Sequence, residues 1–318
     1  MKFHENTTPQ EINLSNPAVE LGNSSIHDAY ALEINISAKN ETGSAKVPTI
    51  QEFLSAFEQI AVMSDNTRYH YALTGLDIAR RNAMTMPQGI PSRVLDKTFT
   101  SVADDATMSA SFVLTLDEGD LIALQHDTVT LKAAIAKQIA VDCPVTACTI
   151  NTTIFEKIPE SVTEIVGTYG ANFERALEPK VYAMEKTLPS TTEFTGFFDL
   201  PTGSLLNGAM LHWTVAPSQV GMIQVVPSRS EIHRVNWATA VARDERRLRT
   251  AMPSNTLLMD YNSEWMLNAL GKDGRTFNRG DYQIAAKSAT ETKLRYVSFE
   301  KTFPAGAGAV FEPGNRFL

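Results

Sequence analysis

The sequence predicts a mainly β protein built as two tandem sandwiches, each interrupted by a helix. Three observations carry that expectation. Many segments alternate apolar and polar residues. A strand–turn–helix pattern recurs at about half the chain length. The residue constellations that mark common enzyme classes are missing.

The alternating segments come first. Ala29 to Ser37 places Tyr30, Leu32, Ile34 and Ile36 on one face and Glu33 and Asn35 on the other, the period-two pattern of a half-buried strand. Ser109 to Leu116 is rich in β-forming residues. Ala147 to Phe155 aligns Cys148, Ile150, Thr152 and Ile154 on one face. Met210 to Val215, Met222 to Val226, Leu257 to Tyr261 and Leu294 to Phe303 read the same way.

Helical segments are fewer. Trp237 to Met252 contains good helix formers and meets Pro253. Its Arg243, Arg246, Arg247 and Arg249 read as a solvated face with Asp244 and Glu245 as local partners. Leu73 to Met84 is a weaker helix ahead of Pro87. Asp127 to Val141 reads as a helix, with Asp127 and Thr128 as caps and an Ala-rich body. Ser161 to Lys186 is expected to hold one or two helical pieces around Gly167, Gly170 and Pro179.

The repeat links these pieces. Ile60 to Val62 leads to Asp65-Asn66, a helix containing Arg80, Met86-Pro87 and Leu95-Asp96. Ile223 to Val225 leads to Ser228-Arg229, a helix containing Arg243, Met252-Pro253 and Met259-Asp260. The offset is 163 residues at the strand and 166 at the proline, as a duplicated domain requires. A half-length of about 160 residues suits eight strands plus a helix. A two-sheet jelly roll keeps its edges short, whereas one open sheet leaves two long ones. The predicted fold is therefore mainly β, two tandem eight-stranded jelly-roll barrels with a few inserted helices.

Composition bounds the rest. The chain has 318 residues, is 43% apolar and 20% charged, and carries a net charge of −8, which is globular rather than disordered. A pI near 5.3 argues against general nucleic-acid binding. There is no apolar run long enough to span a membrane as a helix, and the first twenty residues do not read as a secretory signal. The Asn-x-Ser/Thr triplets at Asn6, Asn13, Asn23, Asn35, Asn40 and Asn151 then read as chance. Cys143 and Cys148 read as inert reduced thiols.

Candidate chemistry is sparse. His4, His27, His70, His126, His212 and His233 show no metal-ligand spacing. No Gly-x-Ser-x-Gly elbow is present. Gly271-Lys272-Asp273-Gly274 lacks a phosphate-cradling loop, and Gly306-Ala307-Gly308 is a lone Gly-x-Gly. Arg279-Gly280-Asp281 reads as a turn between strands. Asp104-Asp105 and Asp117-Glu118-Gly119-Asp120 read as solvated loops, with structural calcium as the other reading. No catalytic or cofactor-binding residue is assigned, and no enzyme activity is expected.

A further set of residues resembles a known family. Thr191-Thr192-Glu193-Phe194, Asp199-Leu200-Pro201, Met210 to Val215 and Ile223 to Val226 resemble the opening of the second barrel in the double jelly-roll major capsid proteins. These belong to tailless icosahedral viruses, and the nearest resemblance is to corticovirus-like phages with an internal membrane, within the wider tectivirus and adenovirus lineage. Lys180 to Lys186 resembles their inter-barrel connector. The helix ending at Met252, with Leu257 to Tyr261 after it, resembles their helix before a late strand. Thr146 to Glu156 is similar to a strand near the end of their first barrel.

The resemblance implies an N-terminal arm over 1–28, a first jelly roll over 29–158 and a partly helical connector over 159–190. It implies a second jelly roll over 191–303 and a tail over 304–318. It also implies a major capsid protein in the virion, assembled in the host cytoplasm. Homotrimers would form pseudo-hexameric capsomers that tile an icosahedral shell. Expected partners are neighbouring capsomers, penton or minor capsid proteins, and an internal lipid membrane at one barrel end, with Lys2 and the basic helix as candidate contacts. Sequence-specific nucleic-acid binding and cofactors are not expected. The alternatives are a glycan-binding viral spike or lectin-like sandwich, which would use Trp213, Trp237 or Trp265 to stack sugars, and an enzyme using Asp96 and Asp260.

Overall fold

A computed structural model of the chain describes residues 1–8, 11–85, 94–170, 177–202, 204–225, 230–261, 276–277 and 282–302. The chain divides into two compact units, Met1–Phe173 and Glu174–Leu318.

The first unit contains, in order, β1 (Lys2–Thr7), β2 (Ile12–Asn13), β3 (Ala18–Leu21), β4 (Ile26–Lys39), α1 (Ile50–Ser55), β5 (Phe57–Ser64) and β6 (Arg68–Leu73). It continues with α2 (Gly75–Thr85), β7 (Thr107–Leu116), β8 (Val129–Ile135), β9 (Gln138–Ala140), β10 (Cys143–Ile158) and α3 (Val162–Tyr169). The second unit contains β11 (Glu178–Leu188), β12 (Thr195–Asp199), β13 (Leu205–Trp213), β14 (Gln219–Gln224) and β15 (Ser230–Asn236). After them come α4 (Trp237–Leu248), β16 (Thr256–Asp260), β17 (Thr276–Phe277), β18 (Tyr282–Lys287) and β19 (Thr292–Thr302).

The strand orders explain the repeat. In the first unit one sheet runs β1-β10-β4-β7 and the other β6-β5-β8-β3. In the second unit the corresponding sheets run β11-β19-β13-β16 and β12-β18-β14-β15. With the short β2, β9 and β17 set aside, the eight main strands of each unit can be numbered along the chain. Both units then have one sheet ordered 1-8-3-6 and one ordered 2-7-4-5. That is two copies of the eight-stranded jelly roll.

Each core lies between its two sheets. On β4, Tyr30, Leu32, Ile34 and Ile36 are all buried, while Glu33 and Asn35 are exposed. The rings of Tyr30 and Tyr71 meet edge-on across the sheets at 6.2 Å, as do Phe57 and Phe112. In the second unit, Trp213, Leu257 and Leu294 of one sheet pack with Val220, Met222 and Ile284 of the other. Gly221 is required by close approach: a Cβ there would sit 2.0 Å from the His233 carbonyl oxygen on the neighbouring strand.

The helix between the fifth and sixth strands recurs in both units, α2 in one and α4 in the other. The last step of the expected repeat fails. Leu95-Asp96 falls in a single 3-10 turn, whereas Met259-Asp260 lies in β16. Met86-Pro87 and Ser228-Arg229 lie outside the described residues. The fifth strands β6 and β15 went unread, because the hairpin at Asp65 and Asn66, both at positive φ, returns the chain to the sheet before the helix starts.

Other expectations are corrected. Asp127 to Val141 is not a helix but β8 and β9. The Asp127 and Thr128 amides donate to Asp65 Oδ1 instead of opening a helix. Val129, Leu131 and Ala133 alternate into the core, so tertiary pairing overrides alanine's helix propensity. Residues 1–28 are not a loose arm, since β1 pairs with the end of β10 from Lys2↔Ile158 to Thr7↔Thr153. Lys180 to Lys186 is not a connector, because β11 pairs along its length with β19. The second barrel therefore opens at β11, ahead of Thr191. The helix expected to reach Met252 ends at Leu248, with Arg249 left-handed at φ 54°. The tail 304–318 lies outside the described residues.

One buried group makes stability depend on pH. His27 is fully buried on β4, and its Nδ1 lies 2.9 Å from the Tyr30 hydroxyl. Burial pushes its pKa down to about 4, against a smaller upward pull from the Gly22 carbonyl and Glu156. The unfolded chain takes up this proton near pH 6.5 and the folded chain only near 4. The contribution is thus intact above about pH 6.5, falls as the pH drops, and is fully lost by about 4. Urea titrations across that window should show His27→Gln spared about 3 kcal/mol of the loss the parent suffers. Equal losses in both proteins would exclude His27 as the cause.

Candidate assembly surfaces

The margins of the sheets carry the most specific chemistry in both units. β7 is the outer strand of the 1-8-3-6 sheet in the first unit. Asn82, on the buried face of α2, lies against it. Its Nδ2 donates to the Thr115 carbonyl at 2.9 Å, and its Oδ1 accepts from the Thr115 N–H at 2.8 Å. The side-chain amide thus takes the two hydrogen bonds that a neighbouring strand would make. Thr74 and Asp77 fix the start of α2 reciprocally: the Asp77 N–H donates to Thr74 Oγ1, and the Thr74 N–H donates to Asp77 Oδ2.

The second unit repeats this with different residues. β16 is the outer strand there. Asp244 Oδ2 accepts from the Leu258 N–H at 2.9 Å, and Arg247 Nη2 donates to the Leu258 carbonyl at 3.0 Å. Arg247 also donates to Asp244 Oδ1 at 3.3 Å and to Asp260 Oδ2 at 3.5 Å. Asp244 is fully buried. Arg243 and Arg247 are half-buried, whereas Arg246 and Arg249 are exposed. The expected partnership of this helix with Asp244 therefore holds, but the pair is a built contact rather than a solvated face. Asn82 and Asp244 are each the eighth residue of their helix, 244 − 82 = 162 positions apart, close to the offsets of the sequence repeat.

The opposite margin of the first unit's sheet is different. The Thr8 N–H donates to the Thr152 carbonyl, so alternation turns the backbone groups of Phe3, Glu5 and Thr7 away from β10. Phe3 is 77% exposed. Lys2 pairs with Glu160, and the Met1 amine with Glu164 at the start of α3. Neutral side chains pair across the outward face of the same sheet. Thr7 and Thr153 share a hydrogen bond, as do Ser37 and Ser109, and Ser111 donates to Asn35.

The residues singled out in the sequence have local roles where they are described. Cys143 and Cys148 are buried free thiols, and burial pushes Cys148 up to about 11. Asp104 accepts from the Gly43 N–H, and Asp105 pairs with Lys39. Asp120 accepts from Lys157 and Tyr169, each at 2.7 Å, and Lys157 also reaches Asp28 at 2.6 Å. Burial alone would raise the Asp120 carboxyl, but these donors outweigh it and hold it below the usual range. Trp213 is fully buried and so is not available to stack a sugar. Trp265, Arg279-Gly280-Asp281, Gly271 to Gly274 and Gly306 to Gly308 lie outside the described residues. Asp260 meets Arg247, while Asp96 ends a 3-10 turn.

Spacing alone also missed a histidine pair in the first unit. The rings of His70 and His126 lie 5.6 Å apart. His70 Nε2 meets Ser64 Oγ at 2.8 Å, and His126 Nδ1 meets Asp65 Oδ2 at 2.9 Å. They join because β6 and the start of β8 flank β5.

Removing either strand-margin contact has a calculable effect. Asn82→Ala leaves the N–H and C=O of Thr115 without these partners and should cost about 2 kcal/mol. Asp244→Ala also strands part of the Arg247 charge and should cost about 3 kcal/mol. Urea midpoints with unchanged slope measure both; losses below about 0.5 kcal/mol would show the contacts to be incidental.

Comparison with known proteins places this architecture. No protein-family model matches the sequence, and no curated protein matches it. Solved structures do. The STIV MCP superposes with a TM-score of 0.79 at 13% identity, covering 98% of this chain and 100% of that one. The major capsid protein of bacteriophage PM2 superposes at 0.61 with 10% identity, covering 97% and 100%. PBCV-1 Vp54, fitted into a reconstruction of the virophage Sputnik, gives 0.60 at 11% identity, covering 95% and 94%. The likeness to the STIV protein exceeds that to the PM2 protein. With its twin strand orders and end-to-end superposition, the chain has the double jelly-roll fold of these viral major capsid proteins.

Proposed function

We propose that this chain is a major capsid protein that builds a virion shell by self-association. One observation carries the reading. Both units share the 1-8-3-6 and 2-7-4-5 strand orders, and the pair superposes over nearly the whole length of capsid building blocks.

In this reading the chain forms homotrimers. Two barrels per chain then give a six-barrel capsomer of nearly hexagonal outline, which tiles an icosahedral surface. The partners are neighbouring capsomers and the penton or minor proteins at vertices. One barrel end faces an internal membrane, and the host of the phage-like particle supplies the cytoplasm for assembly. The protein acts as a structural component, not as an enzyme. A trimer that lasts as long as a particle needs interfaces of roughly 2,000 Å² or more each. Contacts between capsomers can be weaker, because many act at once in a closed shell.

Light scattering coupled to size-exclusion chromatography tests the reading directly. The chain is 34.9 kDa, so the expected species is a trimer of about 105 kDa that persists on dilution to micromolar concentration. A monodisperse monomer at that concentration would overturn it.

A further inference from the structure

We propose that α2 and α4 act as edge locks, autoinhibitory contacts that hold two strand margins shut against pairing with a second copy of this chain. The proposal concerns self-pairing and does not rest on the shell-building reading.

The argument starts from the hydrogen bonds. A sheet margin offers N–H and C=O groups in the spacing that another strand requires. At Thr115 both groups are taken by one Asn82 amide, at 2.8 and 2.9 Å. At Leu258 both are taken by the Asp244–Arg247 pair, at 2.9 and 3.0 Å. An incoming strand must displace these side chains before it can bind.

Two features separate a lock from ordinary packing. The covered residue stands opposite the sixth residue of the third strand in both units, Thr115 opposite Ala31 and Leu258 opposite Met210, and the eighth residue of the helix preceding the sixth strand covers it. The chemistry differs, an amide in one unit and an ion pair in the other, while the satisfied groups are the same. What the two units share is the closing of one residue's N–H and C=O on the sixth strand. Leucines at the same helical positions would pack the helix but leave the strand open.

The strands involved give reason for closure. β7 reads Thr-Met-Ser-Ala-Ser-Phe-Val-Leu-Thr-Leu and β16 reads Thr-Leu-Leu-Met-Asp. β7 is ten residues long with no charged residue and no proline of its own, Lys97 Nζ donating to its Ser111 carbonyl from outside the strand, and β16 is short with a single aspartate, so the strands themselves carry few of the devices that discourage edge-to-edge association. β1, which among the described strands pairs with β10 alone, carries Lys2, His4 and Glu5 within six residues.

The experiment uses the full chain and three variants, Asn82→Ala, Asp244→Ala and the double variant Asn82→Ala with Thr115→Pro. Proline at Thr115 removes the outward N–H and blocks strand addition without breaking a bond to β4. Circular dichroism scores folding, and light scattering with thioflavin T fluorescence scores edge-paired species. At equal folded fraction, Asn82→Ala and Asp244→Ala should each show roughly tenfold more of a concentration-dependent, thioflavin-positive species than the parent. The double variant should return to the parent's distribution while keeping the lowered melting temperature. That rescue is the readout a merely structural contact would not produce.

Two results overturn the proposal. One is a folded Asn82→Ala protein with the parent's size distribution. The other is a double variant that associates as much as Asn82→Ala alone. Should Asn82→Ala fail to fold, hydrogen exchange in the parent decides. The Thr115 and Leu258 amides must exchange at least roughly a hundredfold slower than in an unstructured chain, and exchange at the unstructured rate refutes the lock.

Discussion

A strand at the margin of a sheet carries N–H and C=O groups that no neighbour takes, and this chain is arranged around where it lets that happen. Each unit curls eight strands into two sheets, so that few margins remain. In both units the helix before the sixth strand covers one of them. The side chains that do so also tie the helix to the sheet, which makes the insertion part of the barrel. The constraint is the same in both units because the strand order is the same. Its chemical solution differs because one residue's N–H and C=O can be matched by an amide or by a carboxylate and a guanidinium together.

Burial of polar groups follows the same logic inside the barrels. His27 is held neutral against Tyr30. In the second unit the Tyr261 and Tyr296 hydroxyls lie 3.0 Å apart, and Glu300 accepts from Tyr182 at 2.8 Å. Burial pushes both Tyr261 and Tyr296 well above the ordinary tyrosine range. Such groups contribute little net attraction when satisfied but are costly when orphaned. They therefore fix which registers of the sheet are tolerated, whereas the aliphatic core rewards any register that keeps its face inward.

The likeness to capsid proteins survives at 13% identity or less. Alternation explains this. A sandwich needs apolar residues at every second position and turns at suitable intervals, and many sequences meet that requirement. The matched solved structures therefore report shape and connectivity. Individual contacts such as those of Asn82 and Asp244 are read from this chain alone.

Much of the fold was legible in the residues themselves. The period-two pattern of Tyr30, Leu32, Ile34 and Ile36 placed β4 and its buried face, and Cys148 to Ile154 did the same for β10. The half-length recurrence announced two barrels. Local pattern suffices there because the side-chain period of a strand sets which face is buried. What tertiary structure alone decided lay at chain ends and between distant strands. Residues 129–135 have alanines that favour a helix, but the open flanks of β3 and β5 claimed them as a strand. The polar start of the chain looked like an arm until Lys2 to Thr7 met the far end of β10. Asn82 and Thr115, like Asp244 and Leu258, are separated by loops and meet only once the sheet is built. Hydrogen bonds between such residues depend on where folding brings them, and no spacing along the chain encodes that.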